Sequence, residues 1–232
     1  MMPTILFRKI TLITLFSLIT YTANGELNIA PSAEETNPLQ AGATAPDFTV
    51  YEVDGTAYEF KAGGLDRPTM IITFRGGWCP YCNTHLQELR NVLPEITQSG
   101  VDVLFLSGDR PEILYSNLKQ ETQESIANLD YTILSDAKLD ASIKFGLAFK
   151  MPDNTLESFR SRNREIDDSS IAIHNALMIP AIYIVKTDGV IAYAYTNPDY
   201  KVRLPAEEVK AAVDKVLAEK PLFELGPSSM DM

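Results

Sequence analysis

Met70-Ile71-Ile72-Thr73-Phe74-Arg75-Gly76-Gly77-Trp78-Cys79-Pro80-Tyr81-Cys82-Asn83 is the stretch on which the fold turns. Met70 to Phe74 is a short apolar run rich in β-branched residues, as expected of a strand buried on both faces. Gly76-Gly77 stops it. Beyond Pro80, the residues Leu86, Leu89, Val92, Leu93 and Ile96 recur at helical spacing, and Gly100 ends the helix. Pro80 suits its first turn, where no backbone N–H is needed. A Cys-x-x-Cys pair between a buried strand and a helix is the setting of a thiol redox centre.

Cys79 and Cys82 are the only cysteines in 232 residues. The thiolate is the nucleophile, and an ordinary thiol is mostly protonated at neutral pH. At a helix start, Cys79 meets unpaired N–H groups and the positive end of the helix dipole, with Arg75 four residues earlier adding positive potential. Cys82, nearly a turn further in, is expected to be more buried and to keep the higher pKa. Cys79 is then the attacking thiol and Cys82 the resolving one, since an i, i+3 pair can close a disulfide without unfolding the helix. A structural zinc site needs two more ligands, and only His85 and His174 are available, so no metal and no cofactor is expected. Two thiolates with His174 leave a copper-handling module as a non-enzymatic alternative. His85 reads as a surface or satisfied residue, and Trp78 as a cover over one flank of the pair or as core filler.

Outward from this unit, Phe48–Val53, Asp54-Gly55 and Thr56–Phe60 form a hairpin pattern. Val101–Leu106 reads as a strand, Pro111–Leu129 as a helix, Tyr131–Leu134 as a short strand and Ala137–Phe145 as a short helix. Residues 146–175 have mixed charge and no clean period, which suggests a partly helical insertion. Ala181–Val185 and Val190–Tyr195 flank a Thr187-Asp188-Gly189 turn, and Pro205–Ala218 is a closing amphipathic helix. The order β-α-β-α then β-β-α predicts an α/β, thioredoxin-like fold: a central mixed sheet with helices on both faces and an N-terminal hairpin extension. Pro180 heads the 181–185 strand. It is expected in cis, shaping the groove where substrate backbone docks.

Arg8-Lys9, the apolar run Ile10–Ala23 and Ala23-Asn24-Gly25 have the layout of a secretory leader, residues 1–25, and the run is shorter than the roughly 20 residues that span a bilayer. Residues 26–40 read as a flexible lead-in, 41–220 as the redox domain and 221–232 as a tail. Export to the periplasm or outside the cell is expected, with no membrane attachment after cleavage. The net charge of −11 argues against nucleic acid and anionic lipid as partners, because both demand basic surfaces. Exported proteins normally use cysteines as staples. A pair three residues apart closes too small a loop for that, so chemistry is the better reading.

Ala45-Pro46-Asp47-Phe48, Phe74-Arg75-Gly76-Gly77-Trp78-Cys79-Pro80-Tyr81-Cys82-Asn83, Ile179-Pro180-Ala181, Asp188-Gly189-Val190-Ile191 and Asp199-Tyr200 with Arg203 resemble the peroxiredoxin-like branch of the alkyl hydroperoxide reductase C/thiol-specific antioxidant family. The resemblance runs from about residue 41 to 218. It implies an antioxidant enzyme: Cys79 reduces a peroxide and becomes a sulfenic acid, Cys82 condenses with it, and an external thioredoxin-like dithiol restores the pair. Typical members carry Pro-x-x-x-Thr-x-x-Cys, the Thr polarising the peroxide. The matching positions here are Ile72 and Gly76, which leaves Arg75 and Arg203 as the cationic partners for the peroxide oxygens. An exported thiol:disulfide oxidoreductase acting on protein disulfides is the alternative function, with Pro180 and Trp78 beside the pair in either case.

Overall fold

The computed structural model describes residues 28–162 and 168–219. The expected leader and tail lie outside them.

The quoted stretch folds as expected. Strand β3 (Thr69–Phe74) is buried along its whole length and is followed by helix α1 (Pro80–Leu89). Around β3 the chain builds a seven-stranded mixed sheet. Its other members are β1 (Phe48–Tyr51), β2 (Ala57–Phe60), β4 (Asp102–Ser107), β5 (Thr132–Ser135), β8 (Ala181–Val185) and β9 (Ile191–Thr196). Their order across the sheet is β2-β1-β5-β4-β3-β8-β9. β4 runs parallel to both β3 and β5, while β8 runs antiparallel to β3. The β1–β2 hairpin joins the far edge through β5.

Alternation along the strands splits the core in two. Met70, Ile72, Phe74, Val103 and Phe105 face one layer, packed by Leu86 and Leu89 of α1, Leu93 and Ile96 of α2 (Leu93–Gln98), and Val209 and Val213 of α7 (Ala206–Ala218). Ile71, Leu104 and Leu106 face the other, against Phe48, Phe60 and the end of α4 (Asp140–Lys144) at Phe145. Helices therefore cover both faces of the sheet, as a thioredoxin-like fold requires.

Three departures have local causes. The helix expected to run from Pro80 to Ile96 breaks at Arg90–Val92, because Pro94 in the first turn of α2 has no N–H to continue the ladder. Residues 111–129 give only a short 3₁₀ turn (Pro111–Ile113) and α3 (Gln120–Ile126). Between them the Asn117 side chain is drawn to Asp109 and the Lys119 N–H to Asn83, so helical bonding cannot run through. The 146–175 segment contains α5 (Asp153–Arg162) and α6 (Ser170–His174), and also an unforeseen strand, β6 (Ala148–Lys150), which pairs antiparallel with β7 (Ala176–Met178) just beyond the segment. Ala30 of the lead-in bridges alongside Phe149, which ties that segment to the domain.

Candidate redox site

Cys79 is the N-cap of α1. Its carbonyl accepts from the N–H groups of Cys82 and Asn83, both at 3.1 Å, and its sulfur accepts from Cys82 N–H at 3.4 Å. Both cysteines are unbridged and each is only 1% exposed.

Two polar side chains without an assigned role hold the turn that presents them. Asn83, one turn after Cys79, donates to the carbonyls of Gly77 (2.6 Å) and Cys79 (3.0 Å) and accepts from Lys119 N–H (3.0 Å). Asp109, just past the end of β4, accepts from Gly77 N–H (2.6 Å), the Ser107 hydroxyl (3.0 Å) and the Asn117 amide (2.9 Å). Burial raises its pKa to about 7, against these hydrogen bonds, and the nearby Cys82 charge adds to the rise. No motif in the sequence marks Asp109 for this role. The available signal was its place at the carboxyl end of a strand next to β3, where open α/β sheets gather their functional groups.

The charge distribution over the pair reverses the expectation. Burial works against a thiolate on Cys82, but the hydrogen bond from the Cys79 thiol and the Arg203 guanidinium outweigh it. With lesser help from Arg75, they lower Cys82 to about 6. Arg203 Nη2 lies 3.3 Å from Cys82 Sγ. Cys79 is raised, first by its hydrogen bond to Cys82, then by burial and the Cys82 charge, with Arg75 opposing. The helix start was expected to favour an anion on Cys79. A guanidinium in contact with the other sulfur decides otherwise, and it arrives from 121 residues away.

Arg203 belongs to a loop fastened over the pair. Asn197 N–H donates to Pro180 C=O at 3.3 Å, Tyr200 packs on Tyr81 with ring centres 5.6 Å apart, and His85 Nε2–H donates to Leu204 C=O at 3.1 Å. His85 is thus a satisfied buried residue; burial first, then Arg203, lowers its pKa to about 4. Pro180 is buried and its peptide bond is trans, which corrects the expected cis bond. The β3–β8 ladder ends at Thr73 and Ala181, and the Thr73 hydroxyl accepts from Ala181 N–H and donates to Ile179 C=O. That side chain spans the position where Pro180 offers no donor, so no cis turn is needed.

Arg75 is 4% exposed, 4.1 Å from the Tyr200 ring centre, 5.1 Å from Trp78 and 5.8 Å from Phe159. Trp78 meets Phe159 edge-on at 5.8 Å, both rings lie over Arg75, and Trp78 packs against the core cluster that includes both cysteines. Arg75, Arg203 and Trp78 are therefore assembled around the cysteines, and Pro180 anchors the loop above them. Among the described residues no group of three His, Cys, Asp or Glu side chains converges.

Gly76 has φ +148°, and a Cβ there would strike the Trp78 indole and lie 2.5 Å from Asp109 Oδ1. The position matching the family Thr therefore has no room for a side chain.

A family model described as the AhpC/TSA family matches residues 41–194. The chain belongs to the AhpC/TSA family. Peroxiredoxin Bcp of Escherichia coli is 31% identical over 111 residues, 48% of this chain and 67% of that protein. Thiol-disulfide oxidoreductase ResA of Bacillus cereus is 28% identical over 83 residues, 36% of this chain and 47% of that one. A peroxiredoxin-like protein from Aquifex aeolicus shares the fold with a TM-score of 0.57 at 20% identity, covering 78% of this chain and 89% of its own. The chain is accordingly a thiol redox enzyme of thioredoxin-like fold.

Proposed function

We propose that this enzyme reduces a peroxide through Cys79, with Cys82 as the resolving thiol and an external thioredoxin-like dithiol regenerating the pair. The observation that carries the reading is burial. Both sulfurs are 1% exposed beneath the 197–204 loop, so a small oxidant reaches them far more easily than a protein disulfide does. The charge pattern supplies a balanced sequence. The Cys79 thiol passes its proton to the Cys82 thiolate across their shared hydrogen bond. Cys79 then attacks the peroxide; an S–O bond forms, the O–O bond breaks, and the departing alkoxide takes the proton back from Cys82. Cys82, again a thiolate beside Arg203, attacks the Cys79 sulfenic acid, and hydroxide leaves as the disulfide closes. Arg75 and Arg203 stabilise the negative charge that moves across the pair.

A second reading, thiol–disulfide exchange with a protein partner, is favoured by Cys-Pro-Tyr-Cys at a helix start and by the sterically closed Gly76, which denies the site the peroxide-polarising Thr. Peroxide consumption with dithiothreitol, run beside insulin reduction, separates the two. On the first reading Cys82→Ser accumulates a dimedone-reactive sulfenic acid on Cys79, and Cys79→Ser is inactive. Fast insulin reduction with negligible peroxide turnover selects the second. Export, with residues 1–25 removed, belongs to the same proposal, and the intact mass of the mature protein should then begin at Glu26.

A further inference from the structure

Beside the redox pair lies a cavity of about 310 Å³, walled by Phe149, Met151, Phe159, Met178, Ile179 and Tyr200. Arg75 is the cation in its interior. Its Nε has no hydrogen-bond partner, and no carboxylate pairs with its guanidinium among the described residues. Glu34 and Lys150 both sit on the exposed rim and oppose one another in sign. Lys150 is further engaged by the His174 carbonyl. A buried cation without a carboxylate partner is costly, and an apolar chamber opening onto it offers an organic anion both a charge partner and a hydrophobic body site.

We propose that this cavity binds a monocarboxylate with an apolar body, its head on the Arg75 guanidinium and its body among the aromatic and thioether walls. The volume corresponds to about ten water-sized volumes, room for a chain of medium length. An anion held at Arg75 weakens the support that this guanidinium gives the cysteine thiolate. Binding therefore raises the apparent pKa of the pair. Conversely, oxidation to a neutral disulfide removes a competing negative charge and tightens binding by the same linkage. The site does not depend on which oxidant the cysteines serve.

Trp78, the sole tryptophan of the chain, touches Arg75 and Phe159 and reports on the site without a label. Octanoate should change its emission saturably, with calorimetry as the second readout. Octanol, with the body but no charge, should bind at least about tenfold more weakly, the size expected of a charge-assisted contact. Acetate, with the charge but no body, should bind more weakly too. Thr155→Glu, which sets a carboxylate in the wall on the outer surface of α5, should abolish binding while the protein stays folded by circular dichroism. The oxidised protein should bind octanoate several-fold more tightly than the reduced one. Equal affinity for octanol and octanoate, undiminished binding by folded Thr155→Glu, equal affinity in both redox states, or no heat and no emission change with octanoate would each overturn the proposal.

Discussion

Replacing Arg203 by Met removes the guanidinium from Cys82 and keeps most of the side-chain volume. The charge lies 3.3 Å from Sγ in a buried setting. An opposite charge at such range moves a pKa by about 1–3 units, each worth about 1.4 kcal/mol. Cys82 should therefore rise from about 6 to about 7–9. At pH 7 the thiolate fraction falls from about nine-tenths to between about one half and one hundredth, and alkylation and turnover fall with it. The sign also fixes a stability profile. Cys82 is depressed below an unfolded thiol near pH 8.5, so its contribution is fully present above that pH and is lost as pH falls through about 6. Cys79, which is raised, behaves oppositely and loses its contribution as pH climbs beyond about 8.5. The reduced enzyme should thus gain stability from pH 6 towards 8.5, and Arg203→Met should flatten that rise. Ultraviolet thiolate absorbance against pH gives the midpoint, and urea unfolding at several pH values gives the slope. An unmoved midpoint in a folded Arg203→Met protein would refute the assignment of the charge to Cys82.

Asp109→Asn replaces a carboxyl that is protonated at low pH by an amide with the same pairing of one donating and one accepting side, so it should change stability by no more than about 1 kcal/mol in urea unfolding at pH 4. Asp109 is raised to about 7, so wild-type stability from this group is intact at low pH and lost as pH rises through 7; the Asn variant should lack that loss. Gly76→Ala forces a Cβ against Trp78 and Asp109 at a positive φ, and should lower the melting temperature, with a shift in Trp78 emission. Tyr183→Phe deletes a buried hydroxyl that has no hydrogen-bond partner among the described residues, and should leave stability unchanged or raise it by about 1 kcal/mol in chemical denaturation.

Local pattern carried the fold a long way. The apolar run Thr69–Phe74, the Gly-Gly stop and Pro80 determine a buried strand followed by a helix, because periodicity, chain breaking and capping are properties of adjacent residues. The same holds for the Asp54-Gly55 hairpin and for α7. Cys79 and Cys82 were legible as the candidate reactive pair for the same reason: their spacing and place at the helix start are local. Tertiary structure alone decided which sulfur holds the charge. That depends on Arg203, 121 residues beyond Cys82, and on a loop secured by His85, Tyr81 and Pro180, none of which can be placed over the pair by spacing. It also decided that Asp109 and Asn83 fix the cysteine turn, and that Arg75 faces an apolar cavity built partly from the 146–175 insertion. Electrostatic interaction falls with distance through space and ignores separation along the chain, so the sequence names the charges and only the fold says which of them meet.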